Sequence, residues 1–226
     1  MKHDDIRDQL NAHLKYFSDI GVKYVNLPDV KNESNNLAAD ALDALWNNYV
    51  KGCTKCPLAQ CGRQNIVFGE GNPNADIMFI GEGPGRDEDI QGLPFVGRAG
   101  QKLNEIIRAM GLERKDVYIA NIVKCRPPGN RNPEPEETAA CIPYLEEQIR
   151  IIKPKAICAL GSIAAHNLLN VKTPISRMRG TFYEYMGIPV MPTFHPAYLL
   201  RNYTPTTRKQ IWEDVQKILK LVNDSN

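Results

Sequence analysis

Six cysteines, one glycine-rich turn and one late histidine are the residues of this 226-residue chain whose types and spacing can do chemistry. Cys53-Thr54-Lys55-Cys56 is a C-x-x-C pair, and Cys125 and Cys141 form a wider second pair. Two thiolates three positions apart grip one soft metal, and two more close a tetrahedral set. The spacing also suits a redox pair, although such a pair typically opens a helix directly after a strand and this one precedes the strands. On spacing alone zinc and an iron–sulfur cluster both stay open, with Cys61 as a rival ligand. Cys158 stands among Ile157, Ala159 and Leu160 and reads as core.

Gly81-Glu82-Gly83-Pro84-Gly85-Arg86 departs from the dinucleotide pattern, because Arg86 stands where the third glycine belongs and Pro84 removes a backbone N–H. No G-K-[ST] follows, so a P-loop is excluded. What remains is a tight turn that lets a ligand approach the backbone, with Glu82 beside it. Glu88 and Asp89 are nearby carboxylates and read as a solvated acidic loop. His195 opens His195-Pro196-Ala197-Tyr198-Leu199-Leu200-Arg201-Asn202, an apolar tip with a cationic anchor. Such a tip either wedges into a base stack or folds its leucines into the core. His3, His13 and His166 read as surface or helix-packing residues.

The elements that position these groups follow from periodicity. Apolar spacing of three and four predicts helices over residues 3–20 and Asn36–Tyr49, separated by a polar connection at Asn26–Asn35. Residues 1–50 therefore read as a helical extension. Buried strands are expected at Asp76–Ile80, Val117–Ala120, Ala156–Leu160 and Ile188–Phe194. Helices are expected at Arg98–Met110, stopped by Gly111, at Glu134–Ile152 with an acidic, proline-rich first turn, from Ser162 to Leu169, and at Thr206–Val222. Strands alternating with helices imply a three-layer α/β/α fold with a mainly parallel central sheet of about four strands. Ligands of such sheets bind beyond the carboxyl ends of the strands. Glu82, Asn121, Gly161 and His195 each follow a buried run, and that coincidence is the first functional signal.

Composition bounds the rest. Apolar residues are 42% and charged residues 24% of the chain, which suits a globular fold. The net charge of +2 is far from polybasic, yet residues 1–40 carry −2 and residues 41–226 carry +4, so a locally basic face fits. Lys124, Arg126, Arg131, Arg177, Arg179 and Arg201 are candidate phosphate contacts, with Lys55 and Arg63 beside the first cysteine pair. No apolar stretch reaches membrane-span length, and Met1-Lys2-His3-Asp4-Asp5 is followed by no apolar core of signal-peptide length, so neither a membrane span nor a signal peptide is expected. A cytoplasmic, monomeric protein is expected, whose cysteines serve metal, catalysis or burial rather than disulfides.

Taken together, the motifs resemble those of family 4 uracil-DNA glycosylases, the iron–sulfur type. The carriers are Cys53-x-x-Cys56, Gly81-Glu82-Gly83-Pro84-Gly85, Gly92-Leu93-Pro94-Phe95-Val96-Gly97-Arg98-Ala99-Gly100, Asn121-Ile122-Val123-Lys124-Cys125-Arg126-Pro127-Pro128, Cys141, and His195-Pro196-Ala197-Tyr198-Leu199-Leu200-Arg201. Five segments in this order are specific where any one alone is not. The resemblance covers about residues 50–222 and leaves residues 1–50 unexplained; the glycosylase domain is taken as 51–226. Related proteins that crosslink to uracil DNA carry a basic loop ending in histidine, and the stretch Lys124–Pro135 has none.

The resemblance implies a [4Fe-4S] cluster on Cys53, Cys56, Cys125 and Cys141. It also implies a uracil pocket built from the Gly81–Gly83 backbone, Phe95, Asn121 and His195, acting on uracil-containing DNA. In that setting Phe95 offers a face to the extruded base. The Asn121 amide matches O4 and N3–H of uracil and mismatches cytosine. His195 donates to O2, an interaction worth roughly 3–4 kcal/mol in a dry site. Glu82 positions water or stabilises the cationic sugar, although better-known uracil glycosylases place an Asp where this chain has Gly83. Leu199, Leu200 and Arg201 hold the distorted strand open. No lysine stands as a nucleophile, so hydrolysis without strand cleavage is expected. The competing readings are a non-catalytic iron–sulfur protein that binds nucleic acid or transfers electrons, and a zinc-stabilised nucleotide-binding protein.

Overall fold

Four of the strands are nearly unbroken apolar runs, which is what a sheet covered on both faces requires. In the computed structural model, which describes residues 30–225 with side chains from Leu37 to Ser225, the strands are β1 (Glu70–Gly71), β2 (Ile77–Gly81), β3 (Tyr118–Asn121), β4 (Ala156–Leu160), β5 (Tyr183–Tyr185) and β6 (Ile188–Thr193). They form one sheet in the order β1–β3–β2–β4–β6–β5. The pairs β2–β3, β2–β4 and β4–β6 are parallel. The two short edge strands, β1 on β3 and β5 on β6, are antiparallel. The sheet thus has six strands rather than about four, the additions being edge strands of two and three residues.

Successive strand residues point to opposite faces, and each face has its own core. Met78, Ile80, Ile157 and Ala159 pack on one side with Tyr144, Leu145 and Ile149 of α4 (Pro135–Ile152) and Ala164, Ala165 and Leu168 of α5 (Ser162–Leu169). Ile77, Phe79, Cys158 and Leu160 pack on the other with Leu103 and Ile107 of α3 (Arg98–Ala109) and Val215, Ile218 and Val222 of α8 (Pro205–Asp224). Three layers result. The remaining helices are α1 (Val30–Leu45), α2 (Arg86–Gln91), α6 (Ile175–Met178) and α7 (Pro196–Arg201).

The chain divides into units Met1–Asn36 and Leu37–Asn226. Leu42, Leu45 and Val50 are buried in the second unit, so the last part of the expected extension belongs to the core. The expected helix over 3–20, with His3 and His13, lies outside the described residues. Among the described residues no helix is long and apolar enough to cross a membrane.

Two features of this topology position the site. From β2 the chain goes to β3 on one side, and from β4 it goes to β6 on the other, so β2 and β4 flank a topological switch point. Beyond β6, His195 is the N-cap of α7, followed by Pro196 at the first helical position, where a missing N–H costs nothing. The segment read as an apolar tip, Pro196–Arg201, is therefore a helix.

Candidate active site

Beyond the carboxyl ends of β2, β3, β4 and β6 lies a cavity of about 1120 Å³, lined among others by Glu82, Gly83, Phe95, Asn121, Gly161, His195, Leu200 and Arg201. Residues up to 119 positions apart in sequence converge there. Backbone bonds zip the glycine turn to the end of β3, with Ile122 N donating to Gly81 O at 2.9 Å and Val123 N to Glu82 O at 3.1 Å.

At the floor, Gly81 pairs with Asn121 across the ladder. A Cβ on Gly81 would stand 2.5 Å from both Asn121 Oδ1 and the Phe95 ring, so only glycine lets the amide and the ring meet. Asn121 is 1% exposed, and its Oδ1 is buried without a hydrogen-bond partner among the described residues. An orphaned buried acceptor costs about 1–3 kcal/mol, which a ligand donor would recover. At Gly83 a Cβ would stand 2.7 Å from Val123 Cγ2. A side chain at that position would have to displace Val123, and Glu82 is the carboxylate of the turn. Glu82 is half-buried, has no side-chain partner among the described residues, and burial pushes its pKa above the usual carboxylate value.

Phe95 faces His195, with ring centroids 5.6 Å apart and planes tilted by 31°. Ala197 N donates to His195 Nδ1 at 3.1 Å. That bond requires an unprotonated Nδ1, so the neutral ring carries its proton on Nε2, which has no protein partner among the described residues. Enclosure by surrounding protein is the main cause that lowers the His195 pKa to about 4; the Arg201 guanidinium adds to it and Glu88 opposes it. The imidazole is thus a neutral donor throughout the ordinary pH range.

Several expectations are corrected. Leu199 is 5% exposed and packs with Phe194 and Ile211, so it is no wedge; Leu200 and Arg201 line the cavity. The exposed apolar side chain of this helix is Tyr198, stacked on Phe194 at 4.8 Å. Lys124 is no phosphate contact. It is buried, donating to Asn121 O at 3.1 Å and Gln148 Oε1 at 2.6 Å, and burial lowers its pKa to about 8. Arg179 forks onto the buried Asp214, which also accepts from Thr193 Oγ1 at 2.6 Å. Arg131 is held by Glu137 although it lines the cavity, while Arg177 is exposed. Glu88 and Asp89 are not solvated: Asp89 is 1% exposed and accepts from the Gln64 and Asn65 amides, and Glu88 accepts from those of Gly85, Val96 and Gly97.

The cysteines separate by environment. Cys125 and Cys141 are buried, Cys53 and Cys56 are half-buried against the same apolar cluster, Cys61 is exposed, and Cys158 is buried in the core on the other sheet face. Three sulfurs have hydrogen-bond donors aimed at them: Arg63 Nη1 at 2.9 Å from Cys125, Lys124 N at 3.3 Å from Cys141, and Tyr144 Oη at 3.4 Å from Cys53. Burial pushes the Cys125 thiol up and the Cys141 thiol to about 11, and each feels the charge of neighbouring cysteines including Cys56. Among the described residues no three His, Cys, Asp or Glu side chains close around a single ion. Thiols clustered in an apolar wall and supplied with sulfur-directed donors are nevertheless the donor set that a polynuclear iron–sulfur centre uses.

Residues 68–216 match the family model described as the uracil DNA glycosylase superfamily. The chain is 51% identical over 180 residues to a type-4 uracil-DNA glycosylase of Thermotoga maritima, covering 79% of this chain and 93% of that protein. It is 47% identical over 188 residues to one of Saccharolobus solfataricus, covering 79% and 85%. A type-5 uracil-DNA glycosylase of Pyrobaculum aerophilum is 31% identical over 187 residues, covering 69% and 82%.

Proposed function

Because the chain belongs to the uracil DNA glycosylase superfamily, in its type-4 branch, we propose that it hydrolyses the N-glycosidic bond of uracil in DNA, releasing free uracil and leaving an abasic site. The observation that carries this reading is the convergence of Asn121, Phe95 and His195 on one cavity, with a buried amide oxygen of Asn121 that no group among the described residues satisfies.

Unstacking the base costs a few kcal/mol, least at a mispair. Leu200 and Arg201 at the mouth engage the distorted strand. The extruded uracil lies against Phe95, and the Asn121 amide reads its pyrimidine edge, donor to acceptor and acceptor to donor. Cytosine reverses those groups and leaves buried polar atoms unpaired. The C1′–N1 bond breaks with its electron pair going to N1, and the charge spreads to O2, where His195 Nε2–H donates. A neutral imidazole suits this task, since it stabilises the anion without first having to be charged. Water adds to C1′ of the cationic sugar and loses a proton to solvent, with Glu82 orienting the water or stabilising the cation. No lysine takes part, so the strand stays intact.

We place a [4Fe-4S] cluster on Cys53, Cys56, Cys125 and Cys141; when bound it braces the wall beside the cavity. Lys124, adjacent to Cys125 and bonded to the Asn121 carbonyl, ties that wall to the base-reading residue. The domain is taken to work as a monomer in the cytoplasm, a reducing compartment that leaves cysteines available for ligation. Residues 1–50 are read as an extension whose last part packs into the core of the domain.

The test is base release from matched single- and double-stranded oligonucleotides carrying U, T, hypoxanthine or C, run on a denaturing gel with and without alkali. Release of uracil with alkali-dependent cleavage supports the reading. Cleavage without alkali, or no release from any substrate by the cluster-loaded protein, contradicts it.

A further inference from the structure

Phe95 takes a backbone conformation that a residue with a side chain seldom adopts: its φ is +52°. Such a conformation persists only where the surroundings over-determine it. Two charged side chains grip the segment Pro94–Gly97 by its backbone. Glu88 Oε1 accepts from Val96 N and Gly97 N, both at 2.9 Å. On the other side Arg114 donates to Pro94 O and, at 3.3 Å, to Phe95 O. Arg114 is itself oriented by Glu70, with Nε 2.8 Å from Oε2, and by Asn104 Oδ1 at 3.2 Å. Below the segment, a Cβ on Gly100 would stand 1.8 Å from Phe95 O, so the peptide is pressed down onto α3. Arg114 does not line the cavity, and it comes from the 3₁₀ turn Arg114–Asp116 before β3.

The geometry points to Arg114 as a positioning residue for substrate recognition: its guanidinium, braced by Glu70, holds the left-handed Phe95 peptide and thereby aims the ring at the extruded base. This inference rests on the reading of Phe95 as the face that receives uracil. Arginine suits the task because its planar fork reaches two successive carbonyls and a carboxylate at once, which a lysine ammonium cannot do.

A double-mutant cycle with the cluster-loaded full chain tests it. Uracil release is measured, as kcat and KM separately, for the wild type, Arg114→Met, Phe95→Ala and the double variant, with melting temperature and visible absorbance for each. Arg114→Met is expected to lose at least about tenfold in kcat/KM at a temperature where it stays folded. In the Phe95→Ala background the same substitution is expected to change kcat/KM by no more than about twofold, because a clamp has nothing left to aim. Arg114→Lys, which keeps the charge and is the safer variant for folding, is expected to restore melting temperature more than KM. Losses that multiply, or Arg114→Met with unchanged kcat/KM, overturn the proposal while leaving the pocket intact. Full activity in Phe95→Ala overturns both the proposal and the reading of the ring beneath it.

Discussion

At the floor of the cavity, Gly81, Asn121 and Phe95 leave no room for one added carbon, and the Asn121 amide oxygen stands without a partner among the described residues. At the mouth, Tyr198 and Arg201 are exposed and Leu200 is half-buried on a helix of six residues. On the proposed function the difference gives them different tasks. A floor without free volume would discriminate between bases by geometry, because displacement of a reading group by an ångström is costly. A mouth of exposed side chains would engage a strand whose sequence varies, and contribute affinity rather than discrimination.

The sharpest way to break that contrast is at the floor. Gly81→Ala is expected to lower uracil release about a hundredfold while the protein stays folded, since the new methyl displaces the Asn121 amide and the Phe95 ring. Full activity with an unchanged melting temperature would show that the floor has slack. Two arginines sharpen the contrast from outside. Arg179→Ala leaves the buried carboxylate of Asp214 without its cation and is expected to cost about 3 kcal/mol of stability, read by denaturant unfolding, with KM unchanged while the protein is folded. Arg201→Ala is expected to do the reverse, raising KM several-fold and lowering the salt slope of DNA binding by about one, with stability unaffected. A KM effect from Arg179→Ala would return that residue to the DNA surface.

The smallest expected effect is that of pH on the reaction. With its pKa held at about 4 against an ordinary 6.5, His195 stays neutral through the working range, so uracil release should show no break near 6.5. The sign for stability follows. The unfolded chain takes up this proton at higher pH than the folded one, so stability falls as pH drops through the window from 6.5 to about 4 and is independent of this group above it. His195→Gln should flatten that part of the acid-side decline in melting temperature.

The four parallel strands were legible because burial on both faces makes a strand a continuous apolar run, as in Ile77-Met78-Phe79-Ile80. The edge strands were not: Glu70–Gly71 is too short and polar to carry a period, and Tyr183–Tyr185 takes its strand character from pairing with β6. Glu82, Asn121, Gly161 and His195 were visible at the ends of buried runs, whereas Phe95, between α2 and α3, was reached only through the resemblance. Which leucine faces inward was not, since a single turn of α7 offers no periodicity to choose between Leu199 and Leu200. Asp89 and Glu88 looked solvated because their partners are backbone amides, those of Asp89 lying some 25 positions upstream. Arg114 left no local signal at all, because its partners lie 10 to 44 positions away.

That two side chains from the ends of β3 and β6 meet on one base is tested most directly by single-turnover uracil release in Asn121→Ala and His195→Ala, with visible absorbance and melting temperature as controls. Each variant is expected to lose at least about tenfold, and His195→Ala up to the hundred- to thousandfold typical of a lost donor to a developing anion, while both controls stay at wild-type values. Full activity in both variants would contradict the shared cavity as the place where the bond is broken.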